Sequence, residues 1–197
     1  VRPLRQMTGE AEFNEVYFTD ARIPDNERLG EVGEGWRVSL TTLMNERVSI
    51  GGTVPPKESG PIAVAKEALL DGEASAKERD EFMKLWIRSE VHRLTNIRAS
   101  QNRKSGTPGP EGSVGKMASA DLNKEIYEQV MNLMGADALL YGSYDMVRPE
   151  TAMGSDTPQK AFLRVRANSI EGGTSEVMRN ILGERVLGLP REPRATN

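Results

Sequence analysis

Three long segments of this chain place apolar residues three or four positions apart, which is the spacing of one face of an α-helix. They run from near Trp36 towards Pro55, over residues 77–103 and over residues 113–134. In the last segment the repeating residues are Val114, Ala118, Leu122, Ile126, Val130 and Leu133. Helices of this length joined by short loops pack antiparallel, so the sequence predicts a mainly α fold built as a helical bundle.

The remaining helical patterns are shorter. We predict short helices over residues 63–70 and 157–169, and a last helix that begins near Thr174 and fades at Gly188. The long segment 77–103 carries its own apolar stripe, typical of a helix in a bundle. The stripe consists of Met83, Ile87, Val91, Leu94 and Ile97.

The N-terminal part of the chain has an extended rather than a helical pattern. Residues 12–18 combine apolar and aromatic side chains suited to a strand, and turn residues flank them at Thr8-Gly9 and after Pro24. We expect strands of a sheet that is completed elsewhere. Because the chain opens at Val1 within this pattern, we expect it to be the C-terminal part of a longer protein.

Composition excludes several classes of function. The net charge is −3 and the basic residues are scattered among acidic ones, which argues against a nucleic-acid partner. Without cysteine the chain has no disulfide or thiolate metal site, and a reducing cytoplasm fits. The only histidine, His92, is predicted to be structural or solvent-facing, so we expect no metal site. No apolar run reaches membrane-spanning length.

Residues 169–179 are the most informative stretch for function. Gly172 and Gly173 allow a sharp turn and close approach to a ligand, while Thr174 or Ser175 can cap the helix that follows. The amide groups at the start of a helix favour an anion, so a phosphorylated ligand is one interpretation. A purely structural capped turn is the other.

Glu46 lies beside the apolar stripe of the first long helix, with Leu43 one turn before it and Ile50 one turn after. A carboxylate at such an edge is usually a surface charge paired with a neighbour such as Arg47. Burial against a ligand would instead favour its protonated form and allow it to accept a proton. The sequence leaves both roles open.

Several segments together resemble the acyl-CoA dehydrogenase family. Residues 13–24 (FNEVYFTDARIP) resemble the end of that family's middle β-domain. Residues 29–36 (LGEVGEGW) and 43–47 (LMNER) resemble the entry to its C-terminal helical domain, and residues 173–179 (GTSEVMR) are similar to its C-terminal signature.

The resemblance implies a domain organisation. Residues 1–30 would end the middle β-domain, and residues 31–190 would form the C-terminal antiparallel helical bundle. Residues 191–197 would be a disordered tail. The N-terminal helical domain and most of the β-domain would lie outside this chain.

The resemblance also implies a reaction. Members of the family oxidise an acyl-CoA thioester to the α,β-enoyl-CoA, as a carboxylate removes the α-proton and FAD accepts the hydride at N5. An electron-transfer flavoprotein then reoxidises the flavin. We therefore expect FAD, an acyl-CoA substrate, that flavoprotein and a homo- or hetero-tetramer as partners.

The catalytic base departs from the commonest family pattern. Gly172 stands where many members carry the glutamate, and Glu171 lies one residue earlier. A shift of one residue moves a Cα by about 3.8 Å, so Glu171 does not simply take over the role. A minority of members place the base on the first helix of the bundle, an arrangement that residues 43–47 resemble. We predict Glu46 as the base, with Glu171 as the less favoured candidate.

The flavin contacts depart from the pattern as well. By resemblance, FAD would contact two groups of residues. They are Gly173, Thr174, Ser175 and Glu176 at the signature, and Asn132 and Gly135 after the third long helix. The family's Arg-x-x-Phe-Gly segment has no counterpart after Pro55, and Asn132 stands where glutamine is usual, so we expect a weaker flavin site on one side.

These departures make the chain resemble actinobacterial members that act on steroid side chains and assemble two different subunits. Two functions therefore stay open. The protein is a dehydrogenase that uses Glu46, or a non-catalytic subunit that completes a flavin site formed mainly by another chain. A helical interaction module without enzymatic role is the least favoured alternative.

Overall fold

The computed structural model describes residues 1–51, 54–104, 111–148 and 157–191. The chain begins with two short strands, β1 (Arg2–Leu4) and β2 (Phe13–Glu15), which pair antiparallel with Leu4 opposite Phe13. This confirms the extended N-terminal segment. Residues 105–110, which separate the second and third long predicted helices, and residues 192–197 of the predicted tail lie outside the described residues.

Helices make up most of the remaining described chain, as the sequence predicts. Their bounds are α1 (Gly35–Gly51), α2 (Pro61–Asp71), α3 (Ala76–Lys104), α4 (Glu111–Met134), α5 (Pro158–Arg164) and α6 (Ser175–Arg185). Single 3₁₀ turns cover Gly135–Leu139 after α4 and Val165–Ser169 after α5. The fold is mainly α, with a small two-stranded sheet before the bundle.

Helix α4 is the centre of the bundle. It packs against α1, α2, α3, α5 and α6, and its predicted stripe supplies buried Leu122, Ile126 and Val130. The core cluster also contains Ile62 and Ala65 of α2, Phe82 and Leu85 of α3, Tyr127 of α4, Ala161 of α5, and Val165. The short helix α2 therefore belongs to the core, because its apolar face closes one side of α4.

Helix α3 turns a different face to the core from the one its stripe marks. Met83, Ile87, Val91 and Leu94 are each about half exposed, while Phe82 and Leu85 are buried. Helical spacing identifies an apolar face. When a helix has two apolar faces, the spacing does not say which of them packs against the core. The exposed stripe is not part of this chain's own core.

The segment after β1 docks on the bundle. The Ala11 amide donates to the Val147 carbonyl oxygen at 2.9 Å, and the Tyr141 hydroxyl donates to the Thr8 carbonyl oxygen at 2.8 Å. Thr8 and Ala11 are buried. These contacts bring residues 8–12 against the loop before α5, close to the glycine turn that precedes α6.

Candidate active site

The glycine turn between α5 and α6 uses conformations that other residues rarely adopt. Gly172 and Gly173 have φ angles of 62° and 99°. A Cβ on Gly173 would lie 2.7 Å from the terminal methyl carbon of Met178, which is itself fully buried. The positive φ angles therefore favour glycine at both positions, and at Gly173 an added Cβ would also displace the end of the Met178 side chain.

Thr174 is the residue that caps α6. Its hydroxyl oxygen accepts a hydrogen bond from the Val177 amide at 3.2 Å. This bond satisfies one of the free amides at the helix start. Ser175 is buried, and its hydroxyl has no hydrogen-bond partner among the described residues. Of the two capping candidates the structure selects Thr174.

Glu176 already supplies negative charge to the start of α6. Its exposed carboxylate accepts from its own backbone amide and from the Thr174 hydroxyl, and these bonds lower the pKa of Glu176, aided by the charge of Arg179. An incoming phosphate would meet this carboxylate at the helix start. The turn therefore suits a neutral part of a cofactor better than its phosphates.

Two buried cations hold the glycine turn, and the sequence patterns single out neither. The first, Lys116 of α4, is 2% exposed and donates a hydrogen bond to the Gly173 carbonyl oxygen. Burial lowers the pKa of Lys116, while the negative charges of Glu171 and Asp121 act in the opposite direction. Lys116 shares a buried face of α4 with Gly112 and Ala120, away from the apolar stripe that the sequence marks, so no local pattern identifies it.

The second cation is Arg164 at the end of α5, which contacts Glu12 and Glu171. Burial alone would lower the pKa of Arg164, but the hydrogen bonds and charges of Glu171 and Glu12 outweigh it and raise the pKa. The guanidinium therefore stays charged between two carboxylates.

The two carboxylates considered for the base have different surroundings. Glu171 is mostly buried and accepts hydrogen bonds from Arg164 and from Asn168. Glu46 lies on an exposed side of α1, the helix that packs against α4. The two carboxylates thus differ in exposure: Glu171 is held at the turn by a buried guanidinium, and Glu46 is exposed to solvent.

Asn132 and Gly135 lie at the other end of α4. Asn132 is exposed and lines a shallow groove of about 380 Å³ between α3 and α4, and Gly135 ends the helix with a φ of 56°. Lys116 and Asn132 lie on the same helix, 16 positions apart. At the rise of an α-helix this separation is about 24 Å. The predicted flavin contacts therefore form two separate groups. Residues 173–176 lie at the turn before α6, and Asn132 and Gly135 lie at this end of α4.

His92 lies on α3 beside a cavity of about 260 Å³ that is also lined by Asn96 and Asn123. Its Nε2 is 3.2 Å from the Asn96 side-chain amide, and burial lowers the pKa of His92. Among the described residues no three His, Asp or Glu side chains are grouped so that they could hold a metal ion. Nor does the described part of the chain contain a helix that could span a membrane.

The fold and the turn define a mainly α domain that follows a strand segment and ends in a glycine-initiated helix. The chain matches the family described as "Acyl-CoA dehydrogenase, C-terminal domain" over residues 33–187. It belongs to the acyl-CoA dehydrogenase family, as the sequence resemblance predicts, and carries that family's C-terminal helical domain.

Curated relatives support the same family. The chain is 34% identical to acyl-CoA dehydrogenase IpdE1 of Mycobacterium tuberculosis over 98% of its own length and 48% of the relative. It is 32% identical to IpdE1 of Mycolicibacterium smegmatis over 98% of its length and 46% of the relative. The chain thus spans about half the length of these relatives.

Solved structures share the fold. The "Tcur3481-Tcur3483 steroid ACAD G363A variant" superposes with a TM-score of 0.71 at 20% identity, over 96% of this chain and 49% of that chain. The ChsE4-ChsE5 complex from Mycobacterium tuberculosis superposes with a TM-score of 0.68 at 23% identity, over 89% of this chain and 46% of that chain. Each of these structures is named for two different proteins.

Proposed function

We propose that the protein containing this domain is a FAD-dependent enzyme that oxidises an acyl-CoA thioester to the α,β-enoyl-CoA. The observation that carries the proposal is the family match over residues 33–187, which includes both the helix of Glu46 and the glycine turn. FAD, when bound, supplies the hydride acceptor. This chain would contribute the proton acceptor and part of the flavin-binding surface.

Glu46 is the proposed base. Gly172 has no side chain to offer, and Glu171 is engaged by Arg164 and Asn168. Glu46 is exposed on α1, so a substrate bound against that helix can reach it. Proton removal by a positioned carboxylate typically contributes about 10²–10⁴-fold to the rate of such a reaction.

The flavin contacts would come from both ends of α4. Gly173, Thr174 and Ser175 offer backbone and hydroxyl groups at the turn, and the buried Ser175 hydroxyl has no partner among the described residues. Asn132 and Gly135 present exposed groups at the far end of the helix. A separation of about 24 Å along the helix axis favours a tetramer in which the two ends face different neighbours.

The acyl group is proposed to belong to a steroid side chain, and the assembly to contain two different subunits. Support comes from the structural neighbours, whose names each contain two proteins and one of which is named a steroid ACAD. Under this proposal the enzyme works in the cytoplasm with an electron-transfer flavoprotein as its oxidant.

A second function is favoured by a separate observation. The Glu176 carboxylate occupies the start of α6, and residues after Pro55 show no Arg-x-x-Phe-Gly segment. Both features weaken the binding of a pyrophosphate. The chain would then be a partner subunit whose helical face completes a flavin site formed mainly by another protein.

Purification of the full-length protein, alone and with its co-expressed genomic neighbour, separates these functions. A flavin absorption band that acyl-CoA bleaches under anaerobic conditions supports the dehydrogenase. If the band is present in the protein alone, the partner-subunit alternative is excluded. If neither preparation is bleached by any acyl-CoA, including steroid side-chain thioesters, the proposed function is wrong.

A further inference from the structure

Arg164 is shared between two parts of the chain that are far apart in sequence. Its Nε donates to a carboxylate oxygen of Glu12 at 2.7 Å. Its two terminal nitrogens donate to the two carboxylate oxygens of Glu171, at 3.1 and 3.4 Å. All three side chains are largely shielded from solvent. The guanidinium therefore links the docked N-terminal segment to the residue that precedes the glycine turn.

Glu171 is fixed from a second direction. The Asn168 side-chain amide donates to it at 2.7 Å, and the amide of Asn123 on α4 donates to the Asn168 side-chain oxygen at 3.1 Å. Both oxygens of the Glu171 carboxylate thus have donors. Because α4 is the central helix, this chain of hydrogen bonds ties the turn to the middle of the bundle.

The turn is also held on its other side. Lys116 donates to the carbonyl oxygen of Gly173, so the residues on both sides of Gly172 are anchored by buried cations. Gly172 and Gly173 both have positive φ. Two successive glycines would otherwise have unusually wide conformational freedom. The anchors remove that freedom in the segment that carries the proposed flavin contacts.

We propose that Arg164 is a positioning residue for the active site: it holds Glu171 and thereby fixes the Gly172–Gly173 turn against the flavin. The inference rests on the proposed function for its catalytic consequence. It also assigns Glu171 a role, as the counter-ion of Arg164 and not as the base.

Arginine is specifically suited to this position. Its planar fork serves one carboxylate through two nitrogens while Nε serves another, a geometry that the single ammonium group of lysine cannot reproduce. Phe13 lies against the same guanidinium at 5.9 Å from ring centroid to Cζ. Lysine at position 164 would keep the charge but lose part of this hydrogen bonding.

The test compares Arg164→Gln, Arg164→Lys and a matched control in the full-length, flavin-loaded protein. The control is Arg93→Met. It removes an ion pair within α3 in which two nitrogens of Arg93 donate to the Glu90 carboxylate, and this pair does not contact the turn. Amide hydrogen exchange over residues 172–177 reports the turn itself. Anaerobic flavin reduction by acyl-CoA reports kcat and KM separately.

Arg164→Gln is expected to speed exchange in this segment by about tenfold or more and to lower kcat/KM on the order of 10²-fold, mainly through kcat. Arg164→Lys should fall between wild type and Arg164→Gln, and Arg93→Met should leave both readouts near wild type. If Arg164→Gln does not fold, Arg164→Lys and Glu171→Gln carry the same comparison.

Unchanged exchange over 172–177 in every foldable variant would overturn the proposal, and so would a change no larger than that of Arg93→Met. Faster exchange with unaltered flavin reduction would also overturn it, since the turn would then move without catalytic effect. If the wild-type protein is not reduced by any acyl-CoA, the proposed function fails separately, and the exchange measurement still decides whether Arg164 fixes the turn.

Discussion

The two ends of α4 differ in how they hold the residues expected to contact flavin. In the N-terminal half, buried Lys116 donates to the Gly173 carbonyl oxygen, and at mid-helix Asn123 connects to Glu171 through Asn168. At the C-terminal end Asn132 is exposed, and a side chain on Gly135 would meet open space. One end is preorganised by this chain alone, whereas the other presents its groups on an open surface.

The largest loss of stability is expected when the buried ion pairs of Arg164, which hold the preorganised turn, are removed. Arg164→Met leaves Glu12 and Glu171 buried without their shared cation. The free energy of unfolding should therefore fall by about 3–5 kcal/mol. Urea unfolding of the protein measures this. A loss below about 1 kcal/mol, typical of an exposed ion pair, would mean that the turn does not depend on this network.

A smaller difference should separate the two positive-φ glycines. Gly173→Ala adds both left-handed strain and a clash with Met178. We expect it to lower the free energy of unfolding by about 1–3 kcal/mol. Gly135→Ala adds only the strain, because the added carbon would have no neighbouring atom in contact. Its expected loss is about 1 kcal/mol. Equal losses in the two variants would contradict the asymmetry between the ends.

The smallest effect concerns the cap of α6. Thr174→Ala removes the acceptor of the Val177 amide. It should lower the free energy of unfolding by about 0.5–1 kcal/mol. Thr174→Ser keeps that acceptor and serves as the control. If the serine variant loses as much stability as the alanine variant, the threonine methyl group and not the cap is what matters.

Local patterns predict the helices well and their partners poorly. Residues 113–134 repeat over many turns, so the sequence predicts α4 almost to its ends, and Gly135 marks its stop. Helix α3 is predicted too, but its most regular stripe, with Met83 and Ile87, lies outside the core. Which face packs depends on neighbours that periodicity does not contain.

The contacts of Arg164 and Lys116 at the turn cannot be predicted from the sequence, for the same physical reason. Arg164 lies 152 positions from Glu12, and Lys116 lies 57 positions from Gly173. No local spacing encodes such contacts. The glycines, the cap and the departure at Gly172 are visible in the sequence because they are properties of a few consecutive residues. The roles of Glu46 and of the proposed flavin contacts remain predictions.

In the proposed mechanism the base lies at Glu46 while Glu171 serves the turn. Anaerobic stopped-flow mixing of acyl-CoA with flavin-loaded full-length protein compares Glu46→Gln with Glu171→Gln at the flavin absorption band. We expect Glu46→Gln to slow flavin reduction by about 10²–10⁴-fold without changing exchange at the turn. Glu171→Gln should instead loosen the turn and slow reduction by no more than about 10²-fold, the loss expected of Arg164→Gln. Near-normal reduction in Glu46→Gln, with reduction abolished in Glu171→Gln, would contradict this assignment.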